Sequence, residues 1–125
     1  MLGSHHFARM LGDRAIGAQA VTVDMVGRLD GELSLLGAKR WRGPKIDLER
    51  IASQQNLALA LLPAESSNSD HIALMHAGIQ TLHLTTGRHA DYHTPRDTED
   101  RISYEGLRAI SRFAAALILE MADAK

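Results

Sequence analysis

Thr81-Leu82-His83-Leu84-Thr85-Thr86-Gly87-Arg88-His89-Ala90-Asp91-Tyr92-His93-Thr94-Pro95-Arg96-Asp97-Thr98 passes from one kind of structure into another within eighteen residues. Thr81 to Thr86 is short, apolar at alternate positions and rich in β-branched residues, which predicts a strand. Gly87 then opens a loop that Pro95 helps to close. Two His, a Tyr and two Asp crowd into it. Loops that hold such groups on a rigid scaffold are where binding and chemistry concentrate. Beyond the loop, Ser103 is a good N-cap for a last helix, with Leu107, Ile110, Ala114, Leu117 and Met121 as its apolar stripe. Strand, polar loop and helix in succession are the signature of an α/β chain.

The same alternation extends back to the N-terminus. Leu2 to Leu11 reads as a short helix, with Phe7, Met10 and Leu11 on one side. Ala20-Val21-Thr22-Val23-Asp24-Met25-Val26 predicts a strand buried on both faces, ended by Gly27. Glu32 to Leu36 is a weaker strand, and Lys39 to Pro44 a turn or loop. Ile46 to Gln54 reads as a helix. Leu57 to Leu62 is short and followed by Pro63, which favours a strand. After the polar loop Glu65-Ser66-Ser67-Asn68-Ser69, a helix opens at Asp70 and ends near Gly78. Trp41 is expected to be buried against the sheet.

The bulk numbers fit one domain over residues 1–125, long enough to bury a core. Hydrophobic residues make up 45% and charged residues 23%, as in soluble globular proteins. A net charge of -1 gives no electrostatic case for nucleic acid or an anionic membrane. There is no cysteine, hence no disulfide and no thiolate metal ligand. No apolar run is long enough for a membrane span, and no apolar h-region follows a basic start at the N-terminus.

Asp24 stands out within its apolar run. A carboxylate there is costly unless it is paired or binds a cation. It can be a metal ligand at a strand end, or it can pair with Arg28 or cap the strand's exit. Asp70 can be an N-cap with His71 a bystander. His93 precedes Thr94-Pro95, a turn that would fix its direction. Neutral imidazole is the commonest zinc ligand, and Asp91 or Asp97 could accept its other N–H. His83 and His76 read as structural, His5 and His6 as incidental, and His89 is open. There is no HExxH, nucleophile elbow or phosphate loop.

Taken in order, Leu2-Gly3-Ser4, Val23-Asp24-Met25-Val26-Gly27-Arg28, Ser69-Asp70-His71, Ala77-Gly78-Ile79, Thr86 to Thr98 and Ile102-Ser103-Tyr104-Glu105-Gly106-Leu107 resemble the C-terminal part of the double-zinc aminopeptidase family, which includes the glutaminyl cyclases. The resemblance implies a three-layer α/β/α fold with a mixed sheet, an incomplete version of the zinc-exopeptidase (phosphorylase/hydrolase-like) fold. It implies Asp24 as a ligand of one zinc and His93 as a ligand of the other. Tyr92 falls where some members steady the tetrahedral intermediate with a Tyr hydroxyl. Asp70 falls where glutaminyl cyclases carry a hydrogen-bonding carboxylate. Gln80 and Leu74 depart from the family's common Pro and aromatic, as packing changes only.

In the family, a His-x-Asp motif, a bridging Asp and a Glu-Glu pair precede Leu-Gly-Ser, and this sequence does not contain them. Glu32, Glu49 and Glu65 are not in matching contexts. One candidate ligand remains for each zinc, against the roughly three that a catalytic zinc needs. The expectation is therefore a portion of a zinc aminopeptidase, acting on peptide substrate in the complete enzyme and inactive alone. An open strand edge predicts a homo-oligomer or a complementing N-terminal half. The alternatives are a non-catalytic remnant or oligomerising module and, third, glutaminyl cyclisation.

Overall fold

The computed structural model describes residues 2–123. In chain order they form α1 (Leu2–Leu11), β1 (Gln19–Val23), β2 (Glu32–Leu36), α2 (Leu48–Ser53), β3 (Ala58–Leu62), α3 (Asp70–His76), β4 (Gln80–Thr85) and α4 (Tyr104–Asp123), with short 3₁₀ turns between. The four strands make one mixed sheet in the order β1-β4-β2-β3. β1 runs parallel to β4 and β3 parallel to β2, while β2 and β4 are antiparallel.

Side-chain alternation along the strands sorts the core into two faces. Leu33 and Leu35 of β2 and Leu82 and Leu84 of β4 meet Ile51 and Ala52 of α2 and Ile110, Phe113 and Leu117 of α4. The opposite face carries a smaller cluster of Ala8, Ala15, Leu74 and Ile79, beneath α1 and α3. Helices on both sides of a mixed sheet make the three layers that the resemblance implies. Central β4 is buried almost throughout because both its faces are covered. Trp41 packs half-buried against the larger cluster and donates its indole N–H to the Pro44 carbonyl at 2.9 Å.

Local chemistry sets the element ends. Asp47 accepts from the Arg50 N–H at 3.0 Å, so α2 begins at Leu48 rather than Ile46. Ser103 caps α4 as expected, its Oγ accepting from the Gly106 N–H at 3.2 Å. Gly37 ends β2 with φ +89°, and a Cβ there would stand 2.4 Å from the Thr81 carbonyl oxygen. Both the backbone angle and the close approach require glycine. Phe113, fully buried, belongs to the α4 stripe although the pattern read from sequence omitted it.

β1 corrects one expectation. It is an edge strand and not one buried on both faces, and it stops at Val23 instead of Val26. Its ladder with β4 closes where the Asp24 N–H donates to the Leu84 carbonyl at 3.1 Å. Met25 then takes a left-handed φ of +56° and turns the chain away. Asp24 therefore sits just past the strand, exposed, and not within a buried run.

Candidate functional site

β1 and β4 are parallel and adjacent, so their C-terminal ends lie side by side. Asp24 leaves one and the Thr86–Thr98 loop leaves the other. The Thr86 N–H donates to the Met25 carbonyl at 3.0 Å, and the Thr86 hydroxyl donates to the same oxygen. That pair of bonds ties the two strand exits together. Inside the loop, successive turns close from Tyr92 N–H to His89 carbonyl (3.1 Å), Thr94 N–H to Asp91 carbonyl (3.0 Å) and Asp97 N–H to Thr94 carbonyl (3.1 Å).

Two neighbouring clefts open here. The larger, about 530 Å³, is lined by Asp24, Tyr92 and Arg88 together with Ser66, Ser67 and Asn68 of the loop before α3. Its floor includes Leu36 and Leu62. The second, about 420 Å³, is lined by His93, His89, Arg28 and Asp97. Met25 and Tyr92 line both and form the wall between them. The Tyr92 ring stacks on His93, with centroids 3.8 Å apart and planes 17° apart. Arg88 lies over the same phenol at 5.1 Å from its centroid. His93 holds a left-handed φ of +56°, a strained geometry for a residue with a Cβ.

Asp24, Tyr92 and His93 are thus gathered at one end of the sheet, although Asp24 and His93 line different clefts. Asp24 accepts from the Ser69 hydroxyl at 2.8 Å, not from Arg28. Ser69 is the N-cap residue of α3, but its side chain is used on Asp24. Asp70 is the first residue inside α3, exposed, and is not the cap. It lines neither cleft and follows Ser69 directly in the chain.

The carboxylates offered to His93 are engaged elsewhere. Arg28 reaches Asp91 at 3.5 Å and Asp97 at 2.5 Å, and Asp91 also meets Arg96 at 3.3 Å. Arg28 therefore clamps both halves of the loop. His89 Nε2 lies 3.8 Å from Asp97, while its Nδ1 is buried without a partner among the described residues. Glu65 reaches the larger cleft but pairs with Arg40 at 2.6 Å. Arg28, Ser69, Met25 and Arg88 are the site residues whose parts the sequence reading missed. All four stand inside the quoted motifs, and that was the one available signal.

Beneath the site, His71 of α3 and His83 of β4 are both fully buried and stack with centroids 4.1 Å apart. His83 Nδ1 is 2.8 Å from the Thr22 hydroxyl. His71 Nε2 donates to the Ala64 carbonyl at 2.9 Å, which leaves its Nδ1 buried with no partner among the described residues. Burial, followed by the charge of neighbouring His71, pushes the His83 pKa down to about 4. The Asp24 and Asp70 carboxylates pull the other way and do not prevail. His83 is thus structural, as its place in the strand implied. His76, by contrast, is exposed at the end of α3.

The profile of Peptidase family M28 matches residues 1–118. No curated protein matches the chain. Among solved structures, the aminopeptidase from Aneurinibacillus sp. strain AM-1 superposes with a TM-score of 0.75 at 25% identity, over 96% of this chain and 30% of that one. The LapA aminopeptidase of Legionella pneumophila has a likeness of fold, with a TM-score of 0.71 at 19% identity, over 98% of this chain and 36% of that one. The chain spans about a third of the length of each.

Proposed function

The chain belongs to peptidase family M28, and from that premise we propose that it supplies one side of the active site of a zinc-dependent aminopeptidase, which hydrolyses the N-terminal peptide bond of its substrate. The supporting observation is the convergence of Asp24 and Tyr92 on one cleft, with His93 stacked on the far side of the Tyr92 ring. In this reading Asp24 and His93 each contribute one donor, to different zinc ions. The Tyr92 phenol donates a hydrogen bond to the oxyanion of the tetrahedral intermediate. Ser69 holds Asp24 from behind, and Arg28 holds the loop that carries Tyr92 and His93. Asp70 has the least support as a hydrogen-bonding carboxylate, since it lines neither cleft.

The donors present do not make up a metal centre. Among the described residues, no three His, Cys, Asp or Glu side chains are grouped to hold an ion. A catalytic zinc takes about three protein ligands. In this reading further ligands and the proton-transferring base come from polypeptide outside this sequence. The same observation favours a second reading, a member of the family that keeps the fold as a non-catalytic interaction module.

Zinc content and turnover of leucyl-p-nitroanilide separate these readings. The chain alone is expected to show no turnover above a zinc blank and no stoichiometric zinc after desalting. Joined to the missing part of the fold, it is expected to turn over substrate and to lose that activity in Asp24→Asn and His93→Ala. Turnover by the chain alone, abolished by His93→Ala, would refute the need for outside ligands. A joined form that binds zinc and peptide yet never turns over would favour the non-catalytic module.

A further inference from the structure

We infer that Arg88 makes the larger cleft selective for a carboxylate on the peptide that enters it, carried on the side chain beside the scissile bond or at the end of a short peptide. The peptide comes from the aminopeptidase reading above, on which the inference rests. The selectivity comes from the charge of the cleft itself.

Three charged side chains line this cleft: Asp24, Glu65 and Arg88. Glu65 is already paired with Arg40, and Asp24 accepts from Ser69. Arg88 meets no carboxylate among the described residues. With Asp24 given to a cation, as in the reading above, the charge left facing the cleft is positive.

Arg88 is also held in place. Its guanidinium carbon stands 5.1 Å from the centroid of the Tyr92 ring. His93 takes one face of that ring on the side of the second cleft, so Arg88 has the other face, turned to the larger cleft. A guanidinium laid on an aromatic face keeps its edge N–H groups free for a two-pronged bond to a carboxylate. Tyr92 is the residue assigned to the oxyanion, so a cation on its ring lies beside the place of the scissile carbonyl.

The rest of the cleft suits the same ligand. Ser66, Ser67 and Asn68 line it, and their side chains have no hydrogen-bond partner among the described residues. They are donors left over for an acceptor-rich group. Leu36 and Leu62 in the floor offer apolar surface to methylene groups. A volume of about 530 Å³ is in the range of small-ligand sites. An exposed ion pair is worth little when both partners move freely. Here the stack on Tyr92 restrains one of them.

The test titrates the nitrogen-labelled full chain with Glu-Ala amide, Met-Ala and Met-Ala amide. Binding is read from the Arg88 Nε–H signal and from the backbone amides of Ser66, Ser67, Asn68 and Gly87. A peptide with a carboxylate is expected to bind about fivefold tighter than Met-Ala amide, which has none. If Glu-Ala amide is the preferred ligand, the carboxylate is that of the side chain. If Met-Ala is preferred, it is that of the C-terminus. Arg88→Gln should erase the preference and Arg88→Glu should reverse it. Arg88 is exposed, so both variants are expected to fold, with amide spectra unchanged away from the cleft. Equal affinity for all three peptides, no saturation by about 10 mM ligand, or a preference that survives Arg88→Gln would overturn the inference. Turnover by the joined form, without any carboxylate preference in binding, would leave the aminopeptidase reading standing and reject the role of Arg88. An Arg88-dependent preference in a joined form that never turns over would do the reverse.

Discussion

Arg28 decides the shape of the loop that carries Tyr92 and His93. Its guanidinium is mostly buried and touches Asp91 and Asp97, six residues apart on the loop. Planar, two-handed donation of this kind is specific to arginine. Arg28→Ala leaves Asp91 largely buried with only the exposed Arg96 for company. Loss of a charged hydrogen bond at such a place costs about 1–3 kcal/mol. Urea unfolding is expected to show that loss, with Arg28→Lys intermediate because one ammonium cannot bridge both carboxylates. An unchanged midpoint for Arg28→Ala would mean that the clamp does not operate in solution. The candidates Asp24, Tyr92 and His93 were legible because polar groups crowd a short loop or interrupt an apolar run. Arg28 was not, since its partner Asp97 lies 69 residues away. Ser69 is likewise 45 residues from Asp24. The left-handed backbone of Met25 and His93 is equally invisible in side-chain identity, and at about 1–3 kcal/mol each such strain persists only where the surroundings hold it.

At the scale of elements, α3 meets β4 through the stacked pair His71 and His83, and that contact makes stability depend on pH. His83 in the folded chain has its pKa lowered to about 4, against an ordinary histidine value near 6.5. As pH falls from about 6.5 toward 4, the unfolded chain binds a proton that the folded chain refuses. Stability from this group is therefore complete above about 6.5 and declines through that window, by at most about 1.4 kcal/mol per pH unit. Denaturant melts at pH 7.5, 5.5 and 4.5 should show the decline, and His83→Asn should flatten it by one proton's worth. A parallel profile for the variant would remove His83 from the account. All eight helices and strands were legible, most from periodicity, but β3 from its shortness and Pro63 and α3 from the Gly78 stop. Their ends moved where a cap or a turn intervened, as at Asp47 and Met25. The strand order was not legible, because the neighbours β1 and β4 are joined by pairings such as Gln19 with Gln80, far apart in sequence.

For the whole molecule, the two helical layers are unequal, and that inequality governs how it opens. One face of the sheet holds ten buried apolar residues and the other four, two of them alanine. At about 25 cal/mol per Å² of apolar surface removed from water, the α2/α4 side is bound to the sheet far more strongly than the α1 side. α1 buries only Ala8 fully and leaves Leu2, Phe7 and Met10 in water. Local opening takes the least-buried units first. Amide exchange in the isolated chain should therefore be fastest in α1 and slowest in β4 and α4, with β1 following α1, since one side of that strand has no neighbour. Protection of α1 equal to that of α4 would contradict the layering. Stability in this fold is thus lowest in α1 and along the open edge of β1, away from the core beneath α2 and α4.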